Sequence, residues 1–189
     1  LVKRGHIQIA HGPKENRHRP AVDPLFRTAA QVYNRRVVGV ILSGTLDDGT
    51  AGLLAVKQRG GVAIVQDPEE ALYDGMPRNA IENVEVDHIL TLSAIVEVLV
   101  KLADEEVEET ANPVEKNLAI ESKMAEIDME AEQNNDPPGN QSPYSCPECG
   151  GLLWELTNSN LIRFRCRTGH AYSAESLLAE QSEVLEQAM

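Results

Sequence analysis

Two groups of residues have types and spacings suited to chemistry. Asp47 and Asp48 stand side by side in a glycine-bracketed turn, SGTLDDGTAG, directly after an apolar run over residues 37–42. A carboxylate at the carboxyl end of a strand lies where open α/β sheets place their ligand sites. There it can accept a hydrogen bond from the far nitrogen of a catalytic histidine, fix its tautomer and stabilise the imidazolium that forms. The pair could instead cap the helix starting near Ala51. A third option, ligation of Mg²⁺ in a phosphotransfer site, lacks a phosphate-cradling glycine loop and a nearby lysine. The second group is Cys146-x2-Cys149, followed after 16 residues by Cys166-x3-His170. Four soft or borderline ligands in two knuckle-like pairs suit tetrahedral Zn²⁺. They leave no open coordination position, so the expected zinc is structural rather than catalytic. Reactive or incidental thiols are the alternative.

These residues need elements to hold them. The apolar run over 37–42 reads as a central strand. A helix over 51–59 ends at Gly60-Gly61, and a second apolar strand covers 62–65. Upstream, residues 1–10 alternate as a short strand. Asp23 is the expected N-cap of a helix over 25–33, with Pro24 at its first position. Downstream, Met76-Pro77 opens a short helix to about Asn83, residues 86–90 form a short apolar piece, and 92–102 an amphipathic helix. Around the cysteines, residues 152–156 and 161–165 form a β-hairpin, with Trp154 and Phe164 expected to cover the metal. Residues 171–189 read as a helix with Ser173 as N-cap and Leu177, Leu178, Val184, Leu185 and Ala188 on its apolar side.

The chain divides into three parts: 1–102, an α/β domain; 103–143, a linker; and 144–189, a ribbon-like module with its helix. Residues 103–141 hold 12 acidic residues against Lys116 and Lys123, a net of −10 out of −13 for the whole chain. The acidity therefore belongs to the connection, a solubilising linker by composition, and argues against nucleic-acid binding. Within it, Ile120, Met124, Ile127 and Ala131 recur at helical spacing. Residues 133–143, QNNDPPGNQSP, read as linker. No apolar run approaches the ~20 residues that span a bilayer. Three cysteines, two of them as Cys-x-x-Cys, fit a reducing, cytoplasmic setting with metal ligation better than disulfides.

The LSGTLDDGTAG turn, GGVAIVQDP, YDGMPRNAI and the upstream HGPKENRHRPAVDPLF occur in the order found in the catalytic domain of the chemotaxis receptor methylesterases, the CheB family. The resemblance covers about residues 5–102. It implies the C-terminal half of a doubly wound, mainly parallel α/β domain. It also implies a hydrolase that removes methyl esters from glutamate side chains of chemoreceptors through a Ser-His-Asp triad, with no cofactor for catalysis. On that pattern Asp48 is the triad acid and Asp47 a more variable neighbour. The nucleophilic serine and basic histidine precede this segment in the family. With Leu1 in place of an initiator Met, the chain reads as a fragment, inactive by itself. Ser43 lacks the flanking glycines of a nucleophile elbow and reads as structural. His6, His11 and His18 are not at the family's histidine position, and residues 16–20 read as structural or as a rim of the site. By the same resemblance Thr45 lies near the reacting ester, and Met76-Pro77 closes the cleft. Thr45, Leu46 and Asp47 depart from the family's common Met-Gly-Asn. The CPECGG…LWEL…RFRCRTGHAYS pattern is similar to an extension found on some methylesterase-like chemotaxis proteins. The implied partner is a methylated chemoreceptor or related signalling protein. The alternative is a non-catalytic, zinc-binding interaction or regulatory protein in such a pathway.

Overall fold

The computed structural model describes residues 1–107, 121–122, 139–158 and 161–189. The helical repeat expected over 114–131 lies outside these residues except for Glu121 and Ser122, which are helical.

Three parallel strands in the order β3-β4-β5 form the centre of the first part: β3 (Val38–Ile41), β4 (Val62–Gln66) and β5 (His88–Leu90). Val38 pairs with Val62 and Ile64 with His88. Ala63, Ile64 and Val65 are fully buried, as expected of a strand covered on both faces. The covering helices are α1 (Val22–Tyr33), α2 (Thr50–Gln58), α3 (Gly75–Asn83) and α4 (Leu92–Ala103). Ile41, Leu53, Val65 and Ala80 share one apolar cluster. Gly52 lets α2 approach α1: a Cβ there would lie 2.7 Å from Phe26 Cβ and 2.9 Å from the Asp23 carbonyl oxygen.

The opening residues form two short antiparallel strands rather than one, β1 (Val2–Lys3) and β2 (His6–Ile7). Helix α1 also begins earlier than expected. Its N-cap is Ala21, with no side-chain cap bond, and Asp23 sits inside the first turn. The reason is remote: the Asp48 carboxylate accepts the Val22 and Asp23 backbone N–H groups at 2.7 and 3.2 Å. Asp23 is thereby freed to accept from the Gly52 N–H at 2.6 Å.

The C-terminal residues form an antiparallel sheet in the order β6-β7-β8-β9: β6 (Asn140–Ser145), β7 (Leu152–Asn158), β8 (Leu161–Cys166) and β9 (Ala171–Ser173). Residues 140–143, read as linker, thus belong to an edge strand, where Pro143 is tolerated. Residues 171–173, read as helix, are strand. Helix α5 (Ala174–Ala188) follows, with Ser173 as N-cap in a reciprocal capping box with Ser176. Phe164 is buried with Cys146, Cys166, Tyr172 and Leu177. Trp154 is only half-buried and lies outside that cluster. Among the described residues no helix is long and apolar enough to cross a membrane.

Candidate functional site

The carboxylate turn follows β3 directly. Its near end is pinned by Ser43, whose N–H donates to Gln66 Oε1 at 2.8 Å and whose Oγ accepts from the Tyr73 N–H at 2.9 Å. Its middle is held by α3: the Met76 N–H donates to the Gly44 carbonyl at 2.8 Å, and Asn79 Nδ2 to the Leu46 carbonyl at 3.2 Å. The turn closes through Gly49, at φ +97°, a conformation that favours glycine. Thr45 is exposed, whereas Asp47 and Asp48 are only 5% and 7% exposed.

The two aspartates do different things. Asp48 is fixed by the two α1 N–H groups and by Asn16 Nδ2 at 3.2 Å. It does not cap α2, whose N-cap is Gly49 without a side-chain bond. Asn16, expected from the sequence to be structural or at the rim of the site, is the hub of these bonds. Its Nδ2 also donates to Asp23 Oδ2 at 2.7 Å, and its Oδ1 accepts from the Ser173 N–H at 3.1 Å and Ser176 Oγ at 3.3 Å. Burial, with the Asp48 charge second, pushes the Asp23 carboxyl up to about 7. Asp47 has one buried oxygen, Oδ1, with no hydrogen-bond partner among the described residues. Burial raises its carboxyl to about 6; Ser173 opposes the rise, while Glu175 and Asp48 add to it. His6, His11 and His18 are exposed. Among the described residues no imidazole is hydrogen-bonded to Asp48 or to a serine.

Beside this turn lies a buried ionic cluster that no local pattern announces. Arg27 donates to Glu15 at 2.7 Å, and Arg165 reaches Glu15 at 3.1 Å and Glu121 at 3.4 Å. Arg163 grips Glu121 with a two-pronged contact at 2.7 and 2.8 Å. Burial alone would raise Glu121, but Arg163, Arg27 and Arg165 outweigh it and hold the carboxylate below its ordinary range. Burial likewise pushes Glu15 up, but Arg165 and Arg27 outweigh it and hold its carboxyl below the ordinary range. The cluster joins the first part, the connecting segment and β8.

The second candidate centre is the Cys146, Cys149, Cys166 and His170 cluster, whose ligand atoms all lie within 4.8 Å of one another. Cys149 and Cys166 sulfurs are 3.7 Å apart, and His170 Nδ1 is 3.5 Å from Cys166 Sγ and 3.7 Å from Cys146 Sγ. Tetrahedral bonds of about 2.3 Å to sulfur and about 2.0 Å to nitrogen require S···S edges near ~3.8 Å and S···N edges near ~3.5 Å. The four side chains can therefore hold a metal ion. Tight backbone turns present them: the Gly150 N–H donates to the Cys146 carbonyl at 2.8 Å, and the Gly169 N–H to the Cys166 carbonyl at 3.0 Å.

Comparison with known proteins bears on the α/β part, which holds the carboxylate turn. The family model described as CheB methylesterase matches residues 1–99. A Pyrococcus abyssi protein-glutamate methylesterase/protein-glutamine glutaminase is 44% identical over 98 residues, 52% of this chain and 27% of that protein. A Leptospira interrogans protein that carries the same name provisionally is also 44% identical over 98 residues, 51% of its own length. The chain thus spans about half or less of the curated relatives it matches. The crystal structure of the Thermotoga maritima CheB methylesterase catalytic domain aligns at 40% identity over 46% of each chain, with a TM-score of 0.45.

Proposed function

Because this chain belongs to the CheB methylesterase family, we propose that its α/β part serves hydrolysis of glutamyl methyl esters on chemoreceptors, with Asp48 as the acid of a Ser-His-Asp triad. The observation that carries this reading is the mounting of Asp48. It sits at the carboxyl end of β3, and three donors fix both of its oxygens. Such a carboxylate stays oriented, as the role of holding a histidine tautomer requires. The turn's position in the sheet and the family match over residues 1–99 support the same reading.

The nucleophile and base would come from residues outside this sequence. The serine would attack the ester carbonyl, methanol would leave, and water would resolve the acyl intermediate. Residues 1–102 would then form part of the doubly wound catalytic domain. Residues 103–143 would connect it to a zinc-ribbon module over 144–189. The 3.5–3.7 Å ligand spacings support zinc at Cys146, Cys149, Cys166 and His170.

The 189-residue chain by itself should release no methanol from a methylated receptor, and Ser43→Ala should change nothing. Hydrolysis abolished by Ser43→Ala would sink the reading. One observation favours a second, non-catalytic reading of the chain as an interaction protein: both aspartates are buried, and Ser173 and Glu175 stand close to Asp47. Turnover in a longer form of the protein, lost on Asp48→Asn, would decide against it.

A further inference from the structure

The contacts between the metal-binding part and the carboxylate turn are polar, and they converge on one place. Strand β9 adds to residues 14–16 by backbone bonds, Asn16 N–H to the Ala171 carbonyl at 2.8 Å and Ala171 N–H to the Lys14 carbonyl at 3.2 Å. The Ser173 N–H, at the start of α5, donates to Asn16 Oδ1. Two residues further, Glu175 accepts from Asn79 Nδ2 at 3.0 Å, so α5 touches both sides of the turn. Arg17 pairs with Glu180 and Glu183 of α5, and Lys14 with Glu148. Among the described residues of the C-terminal part, only Leu161 joins the apolar cluster of the α/β part. The buried ion pairs of Arg163 and Arg165 with Glu121 and Glu15 hold β8 in place; the remaining contacts, those of β9 and α5, are of the polar kind found in transient interfaces, for which relative motion is the default. The closed arrangement also leaves Asp47 Oδ1 buried without a partner among the described residues, a cost that water would relieve on opening.

We propose that β9 and the first turn of α5 form a polar, reversible lid over the Asp47–Asp48 turn, so that the C-terminal module governs access to it. Closed, the lid occupies the space from which a ligand would approach. Its surface is Asn16, Arg17 and Asn79 on one side and Ser173, Ser176 and Glu175 on the other. That the lid regulates hydrolysis rests on the reading of Asp48 as triad acid; the closure itself does not.

The test uses the metal-loaded 189-residue chain and no ester substrate, so it fails or succeeds apart from the methylesterase reading. Ser176 is fully buried against Asn16, and Ser176→Glu places a carboxylate there. The amides of Asn16, Ala171 and Ser173 should then exchange with solvent about tenfold faster or more, while amides of β7, which does not pair with β9, keep their protection. Asp47 should become reactive to a water-soluble carbodiimide with an amine. One metal per chain should be retained. If Ser176→Glu loses metal, Arg17→Glu decides. It should speed the same three amides and Asp47 labelling, and the swap Arg17→Glu/Glu180→Arg/Glu183→Arg should restore both. Wild-type exchange at the three amides in a metal-retaining variant would overturn the lid. So would faster exchange without faster labelling of Asp47.

Discussion

The two halves of this molecule are stabilised by different physics. In the α/β part, Ile41, Leu53, Ile64 and Val65 are at most 1% exposed, and burial of their side chains supplies the driving force. In the C-terminal part, two cysteines are members of the buried cluster itself, and its four-stranded sheet closes around thiols. A unit of about 50 residues buries too little apolar surface to be secure without a staple, and a metal is one such staple. The larger core can hold a fixed carboxylate, while the smaller part has four side chains spaced so that they could hold a metal ion.

Metal removal should separate the halves most sharply. Chelation, or Cys149→Ser, should unfold the C-terminal sheet, since a structural zinc contributes on the order of 10 kcal/mol. Trp154 is the single tryptophan, so its emission reports this part alone; amides of β4 should stay protected. No bound metal, or unchanged emission, would remove the distinction. The converse test alters chemistry without stability. In a form of the protein with methylesterase activity, Asp48→Asn should cut turnover by roughly 10⁴, and Asp47→Asn far less. The reverse ranking would place the acid one residue earlier.

Next in size come two substitutions inside the cores. Arg165→Met strips two buried carboxylates of a partner and should cost about 3–5 kcal/mol in urea unfolding of the metal-loaded chain. Ile64→Ala should cost about 2–5 kcal/mol in the α/β part without changing metal stoichiometry. The smallest effect is pH-dependent. Asp47 is raised from 3.8 to about 6 in the folded chain. Its protonated form is therefore favoured by folding: this contribution is full below about pH 4 and lost as pH rises through about 6. Asp47→Asn should leave stability near pH 4 nearly unchanged and raise it at pH 8 by about 3 kcal/mol. Denaturant melts at the two values check the sign.

What could be read in the sequence was what neighbouring residues decide. β3 and β4 are continuous apolar runs, so their existence was plain. The cysteine and histidine spacing foretold a metal-sized cluster, and Ser173 was legible as a cap because its residue type suits that position and Glu175 suits the first turn. What escaped depends on distance in the chain. Asp23 looked like the N-cap of α1, but Asp48, 25 residues later, accepts its N–H. Asn16 meets Ser173 across 157 residues, and Glu15, Arg27 and Arg165 have no shared periodicity to betray them. β6, with the sequence NQSPYS, shows no apolar alternation because an edge strand facing solvent needs none.

The buried cluster of Glu15, Arg27, Glu121, Arg163 and Arg165 has a bearing on inheritance. A lone charge left in that interior would be far costlier than the intact set. The C-terminal module is thus not freely transplantable: a graft onto another α/β domain would strand Arg165 unless Glu15 came with it. Descent should accordingly treat these five positions as one character, gained together when the module is acquired and lost together when it is shed.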